Sequence, residues 1–131
     1  MTRNILLTAI AALLLCSCVK IVKKDELLGK WKYLKVGNPH ISSDSISESQ
    51  LAMDAPYIVF SKNDSMMIWW GGKVLTHGTY KLDGATIHIK EVLDSAKKTR
   101  DFNFYILKLE GKDLEFETIG NDGTKVTAVK E

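Results

Sequence analysis

Histidines and alternating carboxylates are the residues after position 18 whose chemistry depends on what stands beside them, and each set is small. Three histidines occur, at positions 40, 77 and 88. Two imidazoles can share a transition metal if they meet on one face, but a closed site needs further ligands. On the hairpin that Asp83-Gly84 would make, His77 and His88 fall on one face as diagonal neighbours, roughly 7–8 Å apart at Cα. That face is flanked by lysines and offers no third ligand, so solvated histidines are expected there and no metal. His40 follows Pro39 and has no visible partner. Asp113, Glu115 and Glu117 alternate, which puts all three on one solvated strand face and gives no acid–base pair of split environment. No Gly-x-Ser-x-Gly elbow is present. Gly71-Gly72 lacks the Gly-Lys-Ser/Thr of a phosphate loop. The expectation is a protein that is not an enzyme, with no catalytic residue, no metal and no cofactor.

Both cysteines, Cys16 and Cys18, precede the folded part of the chain. The remainder has no thiol, hence no disulfide and no cysteine metal site. Arg3 is followed by an almost unbroken apolar run from Ile5 to Leu15. A membrane-spanning helix needs roughly 20 apolar residues, so the run suits the h-region of a secretory signal. It enters Leu15-Cys16-Ser17-Cys18, which resembles the lipobox of bacterial lipoproteins: an aliphatic residue, a spacer, a small residue, then the cysteine that takes the lipid. Cys16 fits less well, since Leu15 would immediately precede it. The resemblance implies a signal peptide over 1–17 and a mature chain that starts at Cys18. Cys18 would carry a thioether diacylglycerol and an amide-linked acyl chain such as palmitate. Several acyl chains anchor stably where one binds only marginally. Val19 stands where many lipoproteins retained at the inner membrane have aspartate, and no acidic export run follows. The expected location is therefore the cell envelope, on the periplasmic face of the outer membrane. Lys20, Lys23 and Lys24 make residues 18–26 a basic tether. It is read as a solvated spacer, with contact to anionic head groups as the alternative.

The chain holds 18 Lys+Arg against 16 Asp+Glu, a net +2. So balanced a surface gives no electrostatic reason to expect nucleic acid. The length supports one domain, placed at residues 27–131.

Leu27-Leu28-Gly29-Lys30-Trp31 marks where anchor gives way to domain. Leu28 to Val36 reads as a strand with Trp31 and Tyr33 on one face, Leu34 and Val36 on the other. Gly37-Asn38-Pro39 stops it. Residues 40–55 are serine-rich. Ser47 can cap a short helix with Gln50 three residues on, placing Ile46 and Met53 on one side near Leu51. This segment is either a surface loop or a lid. Beyond Pro56, Asn63-Asp64, Gly71-Gly72 and Asp83-Gly84 are two-residue hairpin signals, because each tolerates positive φ. Counting outward pairs Phe60 with Met67 and Ile58 with Trp69, then Trp69 with Val74 and Met67 with Thr76. Across the third turn it pairs Leu82 with Ala85, Tyr80 with Ile87 and Gly78 with Ile89. One face then collects Ile58, Phe60, Met67, Trp69, Val74, Gly78, Tyr80, Leu82, Ile87 and Ile89. A one-residue slip at any turn would break that agreement.

The opposite face reads as solvated at Thr79, Lys81, Thr86, His88 and Lys90. It is apolar at Tyr57, Val59, Ile68, Trp70 and Leu75, where the 40–55 segment or a partner would cover it. Residues 91–98 read as a charged connection, 99–109 as a strand, Gly111-Lys112 as a turn, and 113–119 as the next strand. This register pairs Lys108 with Glu115, Leu109 with Leu114 and Leu107 with Phe116. It leaves Phe102, Phe104 and Ile106 on the other face, which demands a bulge or a covered outer face. Asn121-Asp122-Gly123 makes the last turn before residues 124–130. The count is about eight antiparallel strands, an all-β chain suited to an up-and-down barrel that closes on itself.

Gly29-x-Trp31 resembles the Gly-x-Trp signature of lipocalins. Phe60-Ser61-Lys62-Asn63-Asp64, followed by Gly78-Thr79-Tyr80-Lys81-Leu82-Asp83-Gly84, looks like the small bacterial lipocalin-like lipoproteins. The resemblance spans roughly residues 27–130. The chain departs from larger lipocalins in having short strands and no clear C-terminal helix. What the resemblance implies is a barrel whose interior is just filled by side chains or holds one small apolar ligand. The implied lining is Trp31, Ile58, Phe60, Met67, Trp69, Tyr80 and Ile87, with ordinary core packing as the other role for each. In the family, a tryptophan at the position of Trp31 closes the barrel floor. Two functions follow. One is a lipid-anchored binder of a small apolar molecule. The other is a structural or interaction lipoprotein with a filled barrel and an apolar outer patch that docks a partner.

Overall fold

Alternating apolar positions joined by tight turns give strands that each bury one face, and the computed structural model closes those strands into a ring. It describes residues 22–38, 45–93, 98–118 and 123–131. The leader, Cys18, His40 and most of the Asn121-Asp122-Gly123 turn lie outside the described residues. The strands are β1 (Gly29–Gly37), β2 (Tyr57–Phe60), β3 (Ser65–Trp70), β4 (Lys73–Asp83), β5 (Thr86–Leu93), β6 (Lys98–Glu110), β7 (Asp113–Thr118) and β8 (Lys125–Lys130). Each pairs antiparallel with its neighbour in sequence, and β8 returns to β1 to close the barrel. The expected fold class is thus the observed one. Two short helices accompany the sheet among the described residues, α1 (Lys24–Leu27) and α2 (Glu48–Asp54). Residues 91–93 and 98, expected in a charged connection, belong to β5 and β6.

The interior is packed with side chains. Trp31, Ile58, Ile87 and Leu114 are wholly inaccessible, and Phe60, Phe116, Ile89 and Ala128 nearly so. Edge-to-face and tilted rings fill the middle: Phe60 against Tyr80 at 5.0 Å between centroids, and Phe104 against Phe116 at 4.8 Å. Such arrangements suit the ring quadrupoles. The floor, at the β1 start, is Leu27 beneath Trp31.

The other end is closed by α2. The Ser47 hydroxyl accepts a hydrogen bond from Gln50 N, the expected cap. Ala55 ends the helix at φ 44°, and buried Pro56 follows. Ile46 N donates to Val36 O, and Gly71 N to Asp54 O. The Trp70 indole donates to the Asp54 carboxylate. Leu51 is buried, which at the usual scale contributes about 1.5–3 kcal/mol. The helix is therefore a lid on the barrel end. Met53 does not share the inner side with Ile46: it is 79% exposed.

Register departs from the sequence expectation at or just beyond three of the turns, for separate reasons, whereas Lys108–Glu115 and Leu109–Leu114 pair as expected across Gly111-Lys112. The β2–β3 loop takes three residues, Lys62 to Asp64, because Asp64 adopts φ 64° and Ser61 N donates to Ser65 O. The Asn63 side chain accepts from Ser65 N and Oγ, an Asx-type turn. Phe60 therefore faces Met66, and Ile58 faces Ile68. At Gly71-Gly72 (φ 62° and 79°) the two-residue turn and the Trp69–Val74 pair are as expected. Leu75 then bulges out of the ladder, and Ile68 faces Thr76. At the third turn Gly84-Ala85 is the loop and Asp83 pairs with Thr86, so Tyr80 faces Ile89 and Leu82 faces Ile87. That shift of two leaves every side chain on its expected face.

Two more bulges complete the pattern. Leu34 is the extra residue in β1 opposite β8, and Leu107 in β6 opposite β7. Leu107 is the bulge demanded above by Phe102, Phe104 and Ile106, and it pairs Ile106, not Leu107, with Phe116. All three bulged residues are leucines, and all are exposed, at 46%, 63% and 42%. Each lets an inward alternation restart after it, with Val36 following Tyr33 and Leu109 following Ile106 toward the core.

Candidate functional site

Five of the seven implied lining residues project inward: Trp31, Ile58, Phe60, Tyr80 and Ile87 are all nearly inaccessible. Met67 and Trp69 do not. The three-residue β2–β3 loop turns both outward and sends Met66 and Ile68 inside instead. Val74 is likewise outside, 44% exposed, because the Leu75 bulge separates it from the buried run of β4. Ile68, expected on the outer patch, belongs to the core. The lipid-attachment residue Cys18 lies outside the described residues.

With that register, the outer wall of β2, β3 and β4 gains an aromatic face near the lid end. Tyr57 pairs with Trp69, and their rings stack at 5.9 Å with 14° between planes. Lys30 holds its ammonium 4.1 Å from the Tyr57 ring centroid while pairing with Glu131 at 3.1 Å. Val74 stands opposite Trp69, and Leu75 beside it is 63% exposed. Amphipathic aromatics flanked by exposed aliphatic side chains are the composition of interface cores. On the neighbouring strands β4 to β6 the outer wall is polar: Thr79, Lys81, His88, Lys90, Asp101 and Asn103 line a shallow cleft there.

Four clefts lie around the barrel among the described residues; none is lined by Trp31, Ile58, Phe60 or Ile87, and Tyr80 borders the one beside Lys24 and Asp64. One, of about 450 Å³, runs between α2 and the β1–β8 wall. Its apolar side is Leu34, Val36, Ile46 and Leu51; its rim includes Lys35, Glu48, Glu115 and Lys125. Two others, of about 470 and 560 Å³, flank Val22 at the floor end.

The histidines do not meet. His88 faces Lys81, while His77 faces Met67 across β3 and lies before the first β4–β5 pair, Gly78 with Glu91. His88 Nδ1 is 2.8 Å from Asn103 Oδ1, and its Nε2 is 3.7 Å from Asp83. Among the described residues no group of three His, Cys, Asp or Glu side chains could hold a metal.

Sequence reasoning missed one inward charge. Glu91 continues the buried alternation of Ile87 and Ile89, and its carboxylate accepts from Arg100 on β6 at 2.8 Å. Across from it, Gly78 has no side chain because the backbone passes too close. A β-carbon there would stand 1.9 Å from Lys90 O. A lone acidic residue on an apolar alternation is the signal that could have found the pair.

Burial pushes the Tyr33 phenol well above its ordinary value. Burial also raises Tyr80, partly offset by the Lys24 ammonium, which lies 5.7 Å from its ring. Lys24 itself is raised by its hydrogen bond with Asp64. That pair ties α1 to the β2–β3 loop.

In comparison with known proteins, no family model and no curated protein matches the chain.

Proposed function

We propose that this chain is a lipid-anchored, lipocalin-like protein of the cell envelope that catalyses no reaction and works through its outer surface. It is held by acylated Cys18, on the periplasmic face of the outer membrane, and docks a protein partner through Tyr57, Trp69, Val74 and Leu75. The observation that carries this reading is the contrast between a barrel filled by Trp31, Phe60, Tyr80 and Phe116 and a stacked Tyr57–Trp69 pair left on the wall. Aromatic anchors at the centre of an apolar patch dominate many interfaces. The patch is tested with a photo-crosslinking amino acid at residue 69 and a control at residue 90, in cells. A discrete adduct at 69 that is missing at 90, and lost in Tyr57→Ser, supports the reading. Equal adducts at both positions overturn it. Cys18→Ala should release the protein from membranes; retention in the membrane fraction overturns the anchor.

A second reading keeps the small apolar ligand but moves it. The cleft under α2 offers Leu34, Val36, Ile46 and Leu51 to such a molecule, where the barrel interior offers packed rings. Native mass spectrometry of the purified protein decides between them: a retained lipid-sized mass that is lost in Leu51→Asp favours the ligand.

A further inference from the structure

Val22, the first described residue, sits at the floor end between two clefts. It borders one cleft together with Ala85, Tyr105, Leu107 and Leu109, and the other together with Tyr80 and Leu82. It packs against the core, and α1 follows at once, delivering Leu27 to the floor under Trp31. The described chain thereby begins at this rim. Residue 18 lies four positions before residue 22, a reach of at most about 14 Å when fully extended.

We infer that the floor rim of the barrel rests on the lipid bilayer, with Tyr105 and Leu107 entering its interface. The inference rests on the reading that Cys18 is acylated. A bilayer anchor within about 14 Å of Val22 keeps the floor end of the barrel closer to the lipid than the lid end. Tyr105 and Leu107 are 43% and 42% exposed, and both line the same cleft as Val22. A tyrosine beside an aliphatic side chain suits the head-group boundary, where one end of the ring is apolar and the other wet. The rim's charges are mixed: Lys24 is paired with Asp64, and Lys108 stands opposite Glu115. Apolar contact and the tether, more than attraction to anionic lipid, therefore set the pose. The same pose turns the Tyr57–Trp69 face and the α2 lid away from the membrane, because both lie at the opposite end of the strands.

The test uses the mature protein in phosphatidylethanolamine–phosphatidylglycerol vesicles with Leu107→Cys or Leu75→Cys labelled by an environment-sensitive fluorophore. Both positions are exposed bulges, so the fold tolerates them. Quenching by spin-labelled lipid should be about threefold stronger at 107 than at 75, as for a group seated in the interface. Equal or reversed quenching on acylated protein overturns the inference alone. The mass of the mature chain reads the anchor separately: a mass without acyl chains overturns the anchored reading and this inference with it.

Discussion

The indole Nε1 of Trp31 donates a 2.8 Å hydrogen bond to the backbone carbonyl of Leu27, four residues earlier, and both residues are inaccessible to solvent. This bond joins the short helix to the barrel floor. Trp31→Phe keeps most of the ring but strands a buried carbonyl, so it should lower stability by about 1–3 kcal/mol. Trp31→Ala adds the lost packing and should cost at least 3–5 kcal/mol. Denaturant titration of the two variants checks the order.

Register is directly testable, since residues 19–131 contain no cysteine. Met67→Cys should react quickly with a water-soluble maleimide in the native state, and Met66→Cys, at a position 2% exposed, should react only on unfolding. Opening free energies in the usual global range slow such labelling by several orders of magnitude, roughly 10³-fold or more. The opposite order would restore the two-residue loop at Asn63-Asp64.

Gly78 and Gly72 separate two reasons for glycine. Gly78→Ala drives a methyl group into the Lys90 carbonyl, and at 1.9 Å the strands must part. We expect a loss of about 3 kcal/mol or more, the upper range for overpacking. Gly72→Ala meets nothing within 4 Å and suffers only its φ of 79°, a cost of about 1–2 kcal/mol. Thermal unfolding of both variants should rank them in that order.

The Glu91–Arg100 pair is uneven: the carboxylate is buried while the guanidinium is 62% exposed. Arg100→Ala leaves a buried charge without its donor and should cost about 1–3 kcal/mol. Glu91→Gln keeps an acceptor for the guanidinium and should cost less. Equal losses in urea titration would mean that Arg100 acts mainly through its packing on Phe102, which lies 5.4 Å from the guanidinium.

Tyr33 sets an alkaline limit. Burial raises its folded-state pKa above the ordinary 10.0. The neutral phenol is therefore favoured in the folded protein, and its contribution is fully present below pH 10. As pH climbs past that point the unfolded chain ionises first, and stability falls. Tyr33→Phe should flatten this part of the stability–pH curve in equilibrium unfolding.

Much of the architecture was legible because strand alternation and turn chemistry are local. Gly71-Gly72 and Gly111-Lys112 did what their residues demand, and Ser47 capped a helix that a serine-rich stretch could have hidden. The bulge in β6 was legible too, since Phe102, Phe104 and Ile106 had to reach the core somehow. Bulges at Leu34 and Leu75 carried no such warning: a leucine reads as core in any alternation count. The three-residue turn closed by Asp64 was equally silent, because Asn63-Asp64 satisfies a two-residue loop on composition. The one-residue errors at the Asp64 turn and the Leu75 bulge cancel between β2 and β4, which is why the later strands came out on the right faces while Met67 and Trp69 did not. The outer aromatic face was hidden by the same cancellation.

The ring is sealed by the pairing of β1 with β8, Trp31 opposite Lys130. Strands nearly the whole chain apart must find each other last, so non-local closure makes assembly slow. A nascent polypeptide emerging in order could build the β1–β7 meander but could not shut it. Until residues 125–130 arrive, two raw edges stay available to other chains, so removing that last strand should yield aggregates in preference to a smaller soluble protein.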